Sequence, residues 1–222
     1  MLKARTKKIL EVSVNDFIKT GLPVTSEKLM RDHDFGIKSA MIRWELHDLS
    51  KSGFFHQVHS SGGRVPSDKA YRFFVDFLIA ESDQSDVEQK DAAEYSDLIF
   101  EGKTDIFIKE IADFINTMSV LFESADNAFH DSGLSNLFQG LDDIDKKFVV
   151  EILTDIETLP EKIDKEKNWW LNEDEWPQVF IGKSPLTKSR NLSVVANKLS
   201  LKNRDDCLLV ALGPKRMDYR KP

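Results

Sequence analysis

The run Ser60-Ser61-Gly62-Gly63-Arg64-Val65-Pro66-Ser67-Asp68-Lys69-Ala70-Tyr71-Arg72-Phe73-Phe74-Val75-Asp76-Phe77 changes character three times. It begins with a Ser/Gly tip, where glycine permits positive φ and a close approach to a partner backbone. Arg64 follows at once, and Pro66 stiffens the chain behind it. Ser67-Asp68 then supplies an N-cap, so a helix is expected from Lys69. Within that helix Tyr71, Phe74, Val75 and Leu78 fall at i, i+3, i+4 and i+7, one apolar face. A short cationic loop between a strand and an anchored helix has the form of a DNA-binding wing.

Upstream of this run the pattern is helical. Thr6 opens a helix whose apolar face is Ile9, Leu10, Val14, Phe17 and Ile18, and Gly21-Leu22-Pro23 breaks it. Thr25 or Ser26 caps a short second helix expected to turn Leu29 and Met30 inward, and Asp34-Phe35-Gly36 makes a turn. A third helix is expected from about Lys38 to Ser50, with Ala40, Ile42, Leu46 and Leu49 toward a core. Gly53 ends it, Phe54 to His59 reads as a strand, and Val65 begins the return. Helix, helix, turn, helix, strand and wing make a winged helix-turn-helix over residues 1–80. In that architecture the third helix enters the major groove, and its exposed positions are Lys38, Ser39, Met41, Arg43, Trp44 and Glu45.

Downstream, residues 81–94 are polar and acidic and read as a linker. Ile106 to Phe122 is expected to be one amphipathic helix, with Ile108, Ile111, Ala112, Ile115, Met118 and Phe122 on one side. Leu134 to Gly140 reads as a turn or short helix, and Asp145 to Leu159 as a helix stopped by Pro160. Strands are expected at Gln178–Ile181, Leu192–Ala196 and Cys207–Leu212. Residues 95–222 would thus form an α+β domain, and the chain as a whole is α+β.

Composition narrows the function classes. The 222 residues have ordinary hydrophobic and charged fractions (41% and 31%), enough apolar material for a core. No apolar run approaches the roughly 18 residues of a membrane span, and Met1 to Lys8 leads into no signal-peptide core, so a cytoplasmic protein is expected. The net charge of −7 is unevenly placed. Residues 1–78 hold 13 Lys/Arg against 9 Asp/Glu, and the remainder holds 18 against 29. A polyanion would therefore bind at the front. The single cysteine, Cys207, precedes Leu208-Leu209-Val210 and reads as a buried thiol.

Segments at both ends of the chain now resemble a known family, the heat-inducible transcription repressors named HrcA. Gly21-Leu22-Pro23-Val24-Thr25-Ser26 looks like that family's Gly-x-Pro-Val-x-Ser between its first two helices. Ser39-Ala40-Met41-Ile42-Arg43 falls on its recognition helix, and His59 to Asp76 is similar to its wing and the helix after it. Val179-Phe180-Ile181-Gly182, Ser193-Val194-Val195 and Gly213-Pro214-Lys215-Arg216-Met217-Asp218-Tyr219 resemble motifs of its GAF-like carboxy-terminal domain, and Gly133-Leu134-Ser135-Asn136-Leu137 adds a weaker match. Two departures stand out. The family's Ile-Arg-Asn-Asp-Met is here Ile42-Arg43-Trp44-Glu45-Leu46, and the body between the wing helix and Gly133 is short for a full GAF-like domain.

The resemblance implies a DNA-binding repressor of heat-shock and chaperone genes, acting as a homodimer on an inverted-repeat operator, with a chaperonin maintaining the active form. Candidate DNA contacts are Lys38, Ser39, Met41, Arg43 and Trp44 on the third helix, and His59, Ser61, Arg64, Lys69 and Arg72 around the wing. Arg43 is the candidate base reader, because a guanidinium bonds two guanine acceptors at once; its competing fate is an ion pair with Glu45 or Asp48. Trp44 could stack at DNA or pack against the wing. His56 and His59 point to opposite faces of a strand, no carboxylate or thiol set completes a metal site, and no cofactor is expected. No nucleophile elbow, phosphate-binding glycine loop or paired catalytic carboxylates are present, so an enzyme is not expected. Two other classes compete. One is a winged-helix module for protein interaction without sequence-specific DNA binding; the other is a ligand-gated regulator, for which the short body leaves little pocket wall.

Overall fold

The computed structural model describes residues 2–59, 62–82, 98–99, 101–141, 145–200 and 205–220. From residue 83 onward the acidic segment read as a linker lies outside the described residues, as do Ser61 and Asp142-Asp143. The protein is α+β and divides into two compact units, Met1–Gln84 and Ser85–Pro222.

In the first unit three helices precede a hairpin and a fourth helix follows it: α1 (Ala4–Thr20), α2 (Ser26–Asp32), α3 (Ser39–Lys51), β1 (Phe55–Gln57), β2 (Arg64–Pro66) and α4 (Asp68–Ser82). Gly21 stops α1 because it alone adopts the left-handed φ of 66° there without a Cβ penalty, and its N–H donates to the Phe17 carbonyl. Thr25 starts α2, its Oγ1 accepting from the Lys28 N–H at 3.2 Å. Ile42, Leu46 and Leu49 of α3 meet Ile9, Leu10 and Val14 of α1 in one core with Tyr71, Phe74 and Val75 of α4, all buried. Each such side chain contributes about 1.5–3 kcal/mol of transfer free energy.

Two inward assignments fail. Ala40 and Met30 are exposed, because the buried stripe of α3 runs through Ile42, Leu46 and Leu49 and that of α2 through Leu29. The first strand is also shorter than the expected Phe54 to His59.

The second unit contains α5 (Thr104–Ile115), β3 (Met118–Glu123), β4 (Ala128–Ser132), α6 (Leu134–Gln139), α7 (Lys146–Glu157), α8 (Leu159–Lys165), α9 (Lys167–Asn172), β5 (Gln178–Ile181), β6 (Leu192–Leu199) and β7 (Cys207–Pro214). The strands form one antiparallel sheet in the order β4-β3-β7-β6-β5. Side chains alternate across it. Met118, Val120 and Phe122 join a core with Trp170 and Ile163, whereas Leu121 and Cys207 join Phe107 and Ile108 of α5. Cys207 is buried, as its apolar setting implied.

The long helix expected from Ile106 to Phe122 is therefore two elements. Asn116 takes a left-handed φ of 54°, ends α5, and lets the chain turn into β3. Pro160 does not simply stop a helix either. It lies in the first turn of α8, where a missing N–H costs nothing.

One buried carboxylate ties this unit together. Asp155, 3% exposed on α7, accepts from the backbone N–H groups of Lys188 and Ser189 at 2.9 Å and from Lys162 Nζ at 2.7 Å. At the end of β7, Tyr219 donates to the Lys215 carbonyl at 2.8 Å, so the 2.7 Å contact with Ser193 Oγ uses the serine proton. Gly133 and Gly213 both lie against Thr117, and a Cβ on Gly133 would collide with the Thr117 carbonyl oxygen. Trp170 donates its indole N–H to the Ile163 carbonyl, which settles its place in the core.

Candidate nucleic-acid interface

The interface is built on how the hairpin is fixed. Val24 and Arg64 exchange backbone hydrogen bonds, N–H to carbonyl, at 2.8 Å in both directions, so the segment before α2 acts as a third strand. Neither Gly62 nor Gly63 takes the positive φ that the sequence reading allowed. Gly63 is needed for another reason: a Cβ there would stand 2.7 Å from Pro23 Cβ and 2.9 Å from its carbonyl oxygen.

Arg64 consequently sits in a formed strand rather than at the loop tip, and its Nε donates to Ser50 Oγ at 3.1 Å. Burial, followed by the like charge of Arg43, holds its guanidinium below the ordinary arginine value. His59 is exposed two residues past the end of β1, and its carbonyl accepts from the Gly62 N–H at 2.9 Å. Ser61 falls outside the described residues.

On α3 the polar and apolar faces separate cleanly. Lys38 occupies the N-cap position and is exposed, with Met41, Arg43 and Trp44 on the solvent side. Trp44 is 66% exposed, which leaves its ring to solvent rather than to the hairpin. Ser39 is partly buried and its Oγ lies 3.3 Å from Ser26 Oγ, linking α3 to α2. Arg43 forms neither of the two ion pairs expected of it. Its Nη2 donates to Glu27 Oε1 at 2.6 Å, across to α2. Glu45 turns the other way, accepting from Thr6 Oγ1 at 2.8 Å and pairing with Arg5.

The two basic residues of α4 are engaged with the protein. Lys69 Nζ donates to the Ser52 carbonyl at 2.8 Å, just past the end of α3, and lies 4.4 Å above the Phe54 ring. Arg72 is 4.0 Å from Asp76, one turn along the same helix. The structure thus gathers Lys38, Met41, Arg43 and Trp44 on one face, with Arg64 close to Arg43 in a notch it shares with Glu27 and Gln57. Sequence reasoning missed Glu27 and Gln57, whose places depend on tertiary packing. No group of three His, Cys, Asp or Glu side chains among the described residues could hold a metal ion. Among them, too, no helix is long and apolar enough to cross a membrane.

A small helical unit with a cationic helix face, joined in sequence to an antiparallel sheet unit, is the class of protein the fold defines. The family model described as the HrcA protein C terminal domain matches residues 69–222, more than half of the chain, and the chain belongs to the HrcA family. A heat-inducible transcription repressor HrcA of Acetivibrio thermocellus is 46% identical over 82 residues, covering 37% of this chain and 23% of that relative. The protein of the same name from Bacillus pumilus is 46% identical over 80 residues, 36% and 23% of the two chains. The matched segment thus spans under a quarter of the length of these curated relatives. Among solved structures, the crystal structure of a hypothetical protein superposes with a TM-score of 0.74 at 16% identity, covering 100% of this chain and 94% of the other, a likeness of fold.

Proposed function

We propose that the chain is a DNA-binding transcription repressor whose first unit works as a winged helix-turn-helix. In this reading α3 enters the major groove, the β1–β2 hairpin is the wing, and the second unit is a reduced GAF-like domain that serves dimerisation. The observation that carries it is the solvent face of α3. Lys38, Met41, Arg43 and Trp44 stand outward from a helix whose opposite face is locked by Ile42, Leu46 and Leu49. A rigid helix with a cationic, partly apolar outer face fits a groove lined by phosphates and thymine methyls.

The roles divide by what each side chain already does. Arg43 reads bases and Lys38 meets phosphate. Trp44 packs on the sugar–phosphate wall or a thymine methyl. Arg64, held by Ser50, adds positive potential behind Arg43. Lys69 and Arg72 contribute field rather than contact. Relatives named heat-inducible transcription repressor support a repressor role. In this reading the chain regulates heat-shock and chaperone genes in the cytoplasm, as a dimer on an inverted-repeat operator, with a chaperonin as a further partner. No catalytic step is part of this function.

A second reading has its own observation. Leu22 and Met30, like Met41 and Trp44, are exposed apolar side chains of the same unit, as a protein-binding surface requires. Selection of duplexes from a randomised pool, then titration at two salt concentrations, separates the two. Enrichment of an inverted repeat with steep salt dependence is the expected result. Failure to bind any duplex at low salt would overturn the repressor reading in favour of the protein-binding one.

A further inference from the structure

We propose that Glu27 is a specificity-determining positioning residue for Arg43: its carboxylate occupies the guanidinium as a phosphate oxygen otherwise would, and yields it to DNA only where a base edge offers a matching pair of acceptors. The inference rests on the DNA-binding role proposed for the first unit. Its basis is the 2.6 Å bond from Arg43 Nη2 to Glu27 Oε1, which spans two helices and 16 residues of sequence. Both side chains are largely exposed, 66% and 63%, so the pair adds little to the stability of the fold. What it does fix is direction. Arg43 is drawn toward the notch that Glu27, Gln57 and Arg64 line, instead of sweeping freely over the surface.

The charge pattern gives this pair its effect. Arg43 lies close enough to Arg64 for its charge to act on that guanidinium, and both line the notch. Without Glu27 the two guanidiniums would present an uncompensated anion trap to any phosphate, and attraction to phosphate is indifferent to sequence. With Glu27 in place, a generic phosphate must compete with a carboxylate already seated. The Glu27 carboxylate repels a phosphate that approaches Arg43 but not the neutral O6/N7 edge of guanine, whose two aligned acceptors can displace it. The Glu27 carboxyl is held below its ordinary value, chiefly by a bond from its own backbone N–H and then by Arg43.

The test uses the full chain as Glu27→Gln, Glu27→Asp, Arg43→Ala and the Glu27→Gln/Arg43→Ala double variant. Each is titrated with the duplex that the wild-type chain enriches from a randomised pool and with a random-sequence duplex of equal length. Glu27→Gln should tighten binding to random duplex about tenfold and steepen its salt slope by about one unit. The enriched-to-random ratio should fall by a similar factor. Glu27→Asp keeps the charge but not the reach, and should lose the ratio with a smaller gain on random duplex. In the Arg43→Ala background, Glu27→Gln should leave the ratio unchanged. Equal tightening on both duplexes, or a ratio change that persists without Arg43, would show that Glu27 acts as bulk charge and would overturn the proposal. If the wild-type chain enriches no duplex at all, the DNA-binding reading itself fails, and this inference with it.

Discussion

The two units use their family-like segments in opposite ways. In the first unit those segments present part of their side chains outward, with Met41 and Arg43 in solvent and the hairpin pinned against Pro23 and Val24, while Ile42, Tyr71 and Phe74 hold the core beneath. In the second they point inward. Gly133 and Gly213 crowd Thr117, and the Tyr219 hydroxyl is buried against Ser193. The first pattern is that of a surface carried on a small core, and the second is that of a scaffold held by its own packing. A substitution in one should change binding at constant stability, and in the other it should do the reverse.

The strongest way to break this contrast is at Asp155. Replacing it with alanine removes the acceptor of two backbone N–H groups and of the partly exposed Lys162, and should cost about 2–4 kcal/mol in denaturant titration. A loss under about 1 kcal/mol would mean that the buried carboxylate is not what holds the 184–189 segment to α7. Next comes Gly63→Ala, where the new methyl must displace the hairpin from Pro23. It should cost about 1–3 kcal/mol and weaken DNA binding together with stability, since the hairpin is part of both. Unchanged stability there would show that the hairpin yields freely.

Arg43→Ala should separate the two quantities. Affinity for the enriched duplex is expected to fall by about 1–3 kcal/mol, while the denaturation midpoint stays in place. Loss of stability instead would make Arg43 a structural residue. The smallest effect on folding is expected of Trp44→Ala, within about 0.5 kcal/mol because the ring is outside the core. A clear destabilisation would place it in an unrecognised packing role.

The first unit was legible in the sequence because its punctuation is local. Gly21, Pro23 and Gly53 break the chain where α1 and α3 end, and α3 was expected at 38–50 against Ser39–Lys51. The second unit hid one interior strand of its sheet for a physical reason. β3 is covered on both faces, so Met118-Ser119-Val120-Leu121-Phe122 is continuously buried and its apolar residues also fit a helical spacing. Only the left-handed turn at Asn116 separates the two readings. α8 and α9 are too short for periodicity to speak. In the candidate site, the face of α3 followed from its heptad-like spacing. The partners of Arg43, Lys69 and Arg64 did not, because each is set by a residue 14 to 17 positions away on another element.

The paired backbone bonds between Val24 and Arg64 carry a consequence for the kinetics of recognition. A loop that must be ordered on contact gives up conformational entropy at the moment of binding, and encounters that arrive before it orders are wasted. Here the turn end of the hairpin is already bridged to Val24 and pressed on a proline. Its orientation is thus inherited from folding. If the unit binds DNA as proposed, association should be limited by electrostatic encounter, and a change at Pro23 that loosens the hairpin would appear as a slower on-rate.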